Sequence, residues 1–173
     1  MFEKTRNIMP ACFLDRDGVI NIEKGYLFNE KDFEWIEGAI DAIRYISDKG
    51  YLIIVVTNQS GIARGYYTEN DVYKLHQFIN SELKKNGTKI DDFFFSPYHP
   101  DFKDKFIELS HLRKPNTGML KMAFEKWKFD KSKSFMIGDQ DTDIKCAQNF
   151  GIRGYLYKSG NLLDFIKQSK III

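Results

Sequence analysis

Hydrophobic residues along this chain follow two alternating rhythms. Short apolar runs at residues 11–14, 52–56, 93–95, 134–138 and 155–157 stand between longer stretches in which apolar positions return every third or fourth residue. Runs bounded by turn residues predict buried strands, and the longer period predicts helices packed on them. Val72, Leu75, Phe78, Ile79 and Leu83 lie on one helical face, preceded by the capping pattern Thr68-Glu-Asn-Asp71 and followed by Gly87. Further helices are expected over 38–49, closed by Gly50, and over 118–128, 142–149 and 161–167. Residues 21–35 read as a loop rich in Gly, Asn and aromatics. Alternation of this kind implies an α/β fold: a Rossmann-like parallel sheet of about five strands, helices on both faces and right-handed crossovers. The last apolar residues, Ile171 to Ile173, have no partner that the pattern identifies.

Candidate chemistry sits where the apolar runs stop. The first run ends in Asp15-Arg16-Asp17-Gly18, two carboxylates two residues apart on a glycine turn. Such a pair suits one hard cation, which relieves their repulsion and leaves a carboxylate free to attack an electrophile. Asp and Gly also form ordinary solvated turns, so this motif alone leaves both readings open. The second run ends in Thr57-Asn58-Gln59-Ser60-Gly61, a hydroxyl and amide at a strand end where open α/β sheets bind ligands. Arg113-Lys114-Pro115 precedes a helical pattern and offers positive charge, although an exposed basic pair would look the same. The fourth run ends in Gly138-Asp139-Gln140-Asp141-Thr142-Asp143, more acid than a helix N-terminus requires.

Length and composition narrow the classes. The 173 residues, 43% of them apolar and including fifteen phenylalanines and nine tyrosines, suffice for one domain over 1–173 with a sizeable core. A net charge of +2 provides no basic stripe for nucleic acid. No apolar stretch is long enough to span a bilayer, and residues 1–9 carry charges where a leader needs apolar residues. Cys12 and Cys146 both fall in expected core elements and read as buried thiols in a reducing compartment. These features place the protein in the cytoplasm, without membrane or nucleic-acid partners. About forty residues separate Asp17 from Thr57, and the interval to Lys114 holds a helix, a strand and a loop. No room remains for an inserted cap domain of ~60 residues or more. An uncapped site makes a monomer the default expectation.

The four motifs, in this order, resemble the haloacid dehalogenase-like superfamily of aspartate-nucleophile phosphotransferases. The loops Asp15-Arg-Asp-Gly-Val-Ile-Asn21, Gly25-Tyr26, Val56-Thr-Asn-Gln-Ser-Gly-Ile-Ala-Arg-Gly65 and Arg113-Lys-Pro-Asn-Thr-Gly-Met119 are similar to those of the D-glycero-D-manno-heptose 1,7-bisphosphate 7-phosphatases, a branch shared with histidinol-phosphate phosphatases. The resemblance implies Asp15 as nucleophile and Asp17 as general acid and base. It implies Mg2+ held by Asp15, Asp139 and the carbonyl of Asp17, with Asp143 orienting Lys114 or a metal-bound water. Thr57, Asn58 and Lys114 would neutralise the transferring phosphoryl group, and Arg113 would contact substrate, including a second phosphate. Glu23, Lys24, Gly25, Tyr26, Gln59, Ser60 and Gln140 complete the expected substrate contacts.

Two departures from that family matter. The zinc-binding Cys-x-His and Cys-x-Cys positions read Ser96, Tyr98, Ser110 and Leu112, with His99 and His111 displaced by one residue, so no zinc is expected. Burial of Phe102, Phe106, Ile107 and Leu109 is expected to hold that loop instead. Gln140 stands where the heptose enzymes often carry lysine. The resemblance implies a small phosphorylated sugar as substrate and a role in heptose, lipopolysaccharide or capsule biosynthesis. Histidinol phosphate or another small phosphomonoester is the alternative substrate. A phospho-sugar-binding module that has lost turnover is the alternative outside enzymes, against which both Asp15 and Asp17 are present.

Overall fold

The computed structural model describes residues 8–102 and 104–172. The amino-terminal stretch read as lacking a leader therefore lies mostly outside the described residues, as does Ile173. Five strands, β1 (Ala11–Leu14), β2 (Leu52–Asn58), β3 (Asp92–Ser96), β4 (Phe135–Gly138) and β5 (Arg153–Leu156), form one sheet in the order β3-β2-β1-β4-β5, with every pairing parallel. Among the described residues six α-helices accompany them: α1 (Ala39–Asp48), α2 (Gly61–Arg64), α3 (Glu69–Lys85), α4 (Gly118–Trp127), α5 (Asp141–Phe150) and α6 (Leu162–Gln168).

Strand alternation divides the core cleanly between the two faces of the sheet. Cys12, Leu14, Ile53, Val55, Phe135 and Ile137 pack with apolar residues of α1, α3 and α6, including Ile43, Leu75 and Ile166. Their neighbours Ala11, Phe13, Ile54, Val56 and Met136 face α4 and α5, meeting Met119, Leu120 and Phe150. Burial on both faces explains why these strands read as unbroken apolar runs rather than alternating ones. Each fully buried Ile, Leu or Phe here is worth ~1.5–3 kcal/mol by transfer.

The capping pattern is present as expected. Thr68 Oγ1 accepts from the Asp71 N–H while an Asp71 carboxylate oxygen accepts from the Thr68 N–H, starting α3. Expected and observed elements differ in the loops. Residues 61–64, read as turn, form the single-turn helix α2, and short 3-10 turns occur at Glu30–Asp32, Pro100–Phe102 and Ile107–Leu112. One-turn helices carry too little hydrophobic periodicity to be visible in a sequence.

The packing of the 97–113 loop also needs correction. None of the four apolar residues expected to anchor it is fully buried, and Ile107 is 52% exposed. Phe106 leans on Ile62, Tyr67 and Val72, Leu109 leans on the α4 side of the core, and the fully sequestered member is Leu112. The backbone at Phe106 is left-handed, with φ of +59°.

The isoleucine tail acquires a role. Ile171 is 2% exposed and packs into the face shared by α1 and α6. Truncating it to alanine is expected to cost about 2–4 kcal/mol, as for other buried aliphatic deletions, while leaving turnover per folded molecule unchanged. Urea denaturation read alongside activity checks this. An unaltered midpoint would show that the tail only rests on the surface.

Candidate active site

All strands being parallel, their carboxyl ends share one edge, and β1 is the point from which the chain winds outward in both directions. Register places Leu14 beside Val55 and Ile137, so the residues following each strand emerge together. The Asp15 N–H donates to the Ile137 carbonyl at 3.0 Å, extending the pairing one step past the strand. There the backbone turns, with Gly18 at φ +85°. A Cβ at Gly18 would lie 2.5 Å from Asp139 Oδ2, so glycine is what lets the acidic loop after β4 close against the β1 turn.

At the centre is Lys114, 2% exposed. Its ammonium lies 2.9 Å from Asp15 Oδ1 and 2.8 Å from Asp143 Oδ1, and donates to the Val56 carbonyl at 2.8 Å. Burial works against charge on Lys114, but the two carboxylates more than compensate and raise its pKa. Asp15 is raised chiefly by burial, against the pull of Lys114 and with a push from Asp143. Asp139 is raised by burial too, opposed by a hydrogen bond from Gln140. The Asp139 carboxylate accepts from Gln140 Nε2 at 2.7 Å on Oδ2, whereas its buried Oδ1 has no partner among the described residues.

Asp15, Asp139 and Asp143 each bring an oxygen within 4.8 Å of the others. Three ionised carboxylates and one ammonium sum to a charge of −2, and Asp139 Oδ1 is an orphaned hard donor in that cluster. A divalent cation with oxygen preference, such as Mg2+, fits both facts. The Asp17 carboxylate is outside this group and is held differently. Arg16 Nη2 reaches its Oδ2 at 2.9 Å, Asn21 Nδ2 its Oδ1 at 2.9 Å and Gln59 Nε2 its Oδ2 at 2.9 Å.

A cavity of about 360 Å³ opens onto these groups, lined by Asp15, Asp17, Glu23, Thr57, Asn58, Arg113, Lys114, Asp139, Gln140, Thr142 and Asp143. A larger hollow of about 610 Å³ lies between 28–30 and α3, but its Asp71 is already engaged in the helix cap, and no cluster of functional groups converges there. Eleven side chains thus meet at one mouth, and all but Thr142 were legible from the motifs or the loops beside them.

Other expected contacts lie elsewhere. Lys24 pairs with Glu34 at 3.0 Å, and Gly25 donates to Glu23. Tyr26 packs edge-on against Tyr66 beneath the Arg64 guanidinium, which also covers Phe102. Gln59 is buried, donating to Thr57 Oγ1 and Asp17 and accepting from Tyr67, while Ser60 sits at the start of α2. Asn58 clasps the backbone of Lys114 in both directions: its Oδ1 accepts from the Lys114 N–H at 3.0 Å and its Nδ2 donates to the Lys114 carbonyl at 3.2 Å. His99 meets Arg64, and His111 Nδ1 donates to the Glu108 carbonyl.

Sequence reasoning passed over Arg16, His76 and Tyr67. Arg16 carried a signal: it is the one basic side chain set between the two acids, where an outward-facing charge would have no sheet to cover. Lys158 was also missed; from the loop before α6 its ammonium reaches the Asp139 carbonyl at 3.4 Å.

A parallel sheet whose strand ends gather these carboxylates around one lysine defines a haloacid dehalogenase-like hydrolase, and a HAD-hydrolase-like family model matches residues 111–164. The chain is 39% identical over 160 residues to the D-glycero-beta-D-manno-heptose-1,7-bisphosphate 7-phosphatase of Rhodopseudomonas palustris, covering 92% of this chain and 89% of that one. It is 40% identical over 157 residues to a D-glycero-alpha-D-manno-heptose-1,7-bisphosphate 7-phosphatase of Photorhabdus laumondii, covering 90% and 86%. Among solved structures, the D,D-heptose 1,7-bisphosphate phosphatase of B. bronchiseptica, complexed with magnesium and phosphate, superposes with a TM-score of 0.77 at 27% identity, covering 92% of this chain and 87% of that one. The chain belongs to the D-glycero-D-manno-heptose-1,7-bisphosphate 7-phosphatase family.

Exchanging Asn58 for Asp replaces an N–H donor with an oxygen facing the Lys114 carbonyl, and should unseat the lysine. Loss of that hydrogen bond together with the new repulsion is expected to lower kcat/KM about tenfold or more. Steady-state kinetics checks this, and wild-type values would show that the clasp is dispensable.

Proposed function

We propose that the protein is a Mg2+-dependent phosphatase that removes the 7-phosphate of D-glycero-D-manno-heptose 1,7-bisphosphate through an aspartyl-phosphate at Asp15. The observation that carries this reading is the state of Asp15. Its Oδ1 is tied to the Lys114 ammonium and to the Arg16 N–H, and no protein donor among the described residues engages Oδ2, which faces the shared cavity as the free oxygen. A cation among Asp15, Asp139 and Asp143 would offset the burial that raises Asp15 and supply positive charge to the phosphoryl oxygens.

In this mechanism Asp15 Oδ2 attacks phosphorus in line. Asp17 gives a proton to the leaving sugar oxygen and later takes one from the attacking water. Thr57 Oγ1 and the Lys114 ammonium face the phosphoryl group and stabilise charge spreading over its oxygens, which is the main source of catalysis in such transfers. Asp143 and the Val56 carbonyl hold Lys114 in place. Arg113, half-buried at the rim with Nη1 on the Tyr98 carbonyl, has its guanidinium fork available for the second phosphate of a bisphosphate. This second cation favours the heptose substrate over histidinol phosphate, which carries one anion.

The reading includes one domain, a monomer and a cytoplasmic role in lipopolysaccharide or capsule heptose supply. The two buried free thiols support a reducing compartment, and no described helix is long and apolar enough to cross a membrane.

Asp15→Asn should lower phosphate release by at least ~10⁴-fold, the scale of losing a covalent nucleophile, with the circular dichroism spectrum intact. The assay screens heptose 1,7-bisphosphates of both anomers and histidinol phosphate, with and without Mg2+. Turnover of Asp15→Asn near wild type would refute the nucleophile, and preference for histidinol phosphate would refute the sugar.

Metal dependence of stability follows from the raised carboxyls. An acid whose folded pKa is raised favours the folded state at low pH and forfeits that contribution as pH climbs through the folded value. Burial raises both Asp15 and Asp139, so metal-free protein should lose stability as pH passes above the ordinary carboxylate range. The rise in thermal midpoint on adding Mg2+ should then be larger near pH ~8 than near pH ~5. Equal rises at both would place the cation away from these carboxylates.

A further inference from the structure

Arg16 is completely buried, yet the proposed reaction gives it no task. Its guanidinium makes five polar contacts. Nε and Nη2 reach Asp17 Oδ1 at 3.2 and 3.1 Å, Nη2 reaches Asp17 Oδ2 at 2.9 Å and the Leu27 carbonyl at 2.8 Å, and Nη1 lies 3.4 Å from His76 Nε2. Arginine has no acceptor, so His76 must receive. The histidine can do so because burial and the Arg16 charge keep its pKa well below the usual value, and it is fixed by stacking on Phe93 at 4.3 Å.

We infer that Arg16 is a positioning residue that fixes the Asp17 carboxylate for proton transfer, with His76 and the Leu27 carbonyl bracing the guanidinium from behind. This rests on the phosphatase reading above and extends it. A carboxylate on a two-torsion side chain at a turn has several rotamers, of which few point at a leaving oxygen. Here a planar fork touches both of its oxygens, and Asn21 and Gln59 take one oxygen each. Gln59 is in turn held by the Tyr67 hydroxyl at 2.6 Å. Lysine, a point charge on a flexible stem, cannot reproduce the fork. The backbone also depends on this residue, since the Arg16 carbonyl accepts from the N–H groups of Val19, Ile20 and Asn21. That contact survives side-chain substitution, so it does not confuse the test.

The test uses leaving groups that differ in their need for a proton. An alkoxide leaving from the sugar requires general-acid help, whereas p-nitrophenolate leaves without it. The variants Arg16→Lys and Arg16→Met are compared with wild type and Asp17→Asn on heptose 1,7-bisphosphate and on p-nitrophenyl phosphate, with Mg2+ present. We expect kcat/KM, which reports the steps only as far as departure of the leaving group, to fall about a hundredfold on the sugar substrate, the lower range of general acid–base contributions, and less than about threefold on p-nitrophenyl phosphate. Asp17→Asn should show the same selectivity in kcat/KM, while its kcat falls on both substrates because hydrolysis of the shared aspartyl-phosphate needs the same carboxylate. Equal losses of kcat/KM on both substrates would make Arg16 a structural residue, and unchanged values on both would make it dispensable; either overturns the inference. His76→Leu, which removes the brace but leaves the ion pair, decides the matter should Arg16 variants fail to fold: a selective loss on the sugar supports positioning, and a uniform or absent effect overturns it. Wild-type protein releasing phosphate from neither substrate would instead sink the phosphatase reading itself.

Discussion

A buried ammonium must meet anions or give up its charge, because taking either partner out of water costs several kcal/mol that only close pairing returns. Lys114 meets two carboxylates and a carbonyl that come from three different elements: Asp15 after β1, Asp143 in α5 and Val56 in β2. The contact is therefore a constraint on the fold as much as on the site. It requires β1, β2 and β4 to end at the same level, requires α5 to start close behind β4, and requires the chain before α4 to run across the sheet edge. Asn58 meets this last requirement by gripping both backbone groups of Lys114. Breaking one partner of such a pair leaves an uncompensated charge inside, typically at about 3–5 kcal/mol, so geometry and stability are coupled here.

The same constraint accounts for the small residues around it. Gly138 closes β4 where a Cβ would stand 2.2 Å from the Asp143 Cβ, so α5 begins against bare backbone. Asp143 then serves two ends at once, capping α5 through the Gln140 N–H and holding Lys114. Three raised or paired acids in one place are unfavourable on their own. The excess of two negative charges is the property that fits a divalent cation.

How much of this could be read from the chain depends on the range of the interaction. The strands were legible because both faces are buried, giving runs such as Leu52 to Val56 that no exposed element would carry, and α3 because its cap and its apolar stripe agree. The site was legible because its acids follow strands directly in sequence, so a parallel sheet brings Asp15, Thr57 and Asp139 together whatever the loops do. The rest depends on contacts that local pattern does not encode. Lys24, Tyr26 and Ser60 sit in motif-bearing loops, yet Lys24 turns to Glu34 and Tyr26 to Tyr66 and Arg64, because loop direction is set by distant partners. The anchoring of residues 97–113 escaped for the same reason: apolar residues were counted there, but which of them meets the core depends on partners far away in sequence, Ile62, Tyr67 and Val72 for Phe106 and, among the described residues, none for the exposed Ile107. Arg16 and His76 lie sixty residues apart and touch across the sheet edge, a pairing visible only in three dimensions.

Two aspartates with identical side chains, two residues apart, come to occupy different electrostatic worlds, and the difference lies in the cation each one meets. Asp15 shares a compact, monodentate ammonium with Asp143, which occupies one of its oxygens and leaves the other exposed toward the cavity. Asp17 faces a rigid guanidinium that spans both its oxygens, with two amides completing the enclosure. A nucleophile needs a bare oxygen and freedom to form a bond, whereas a group that relays protons needs a fixed direction. Lysine and arginine supply these conditions through geometry more than through charge, since each carries the same +1. In the proposed reaction, then, the division of roles between the two carboxylates is inherited from the shapes of their partners, and exchanging those partners would exchange freedom for fixity at the reacting centre.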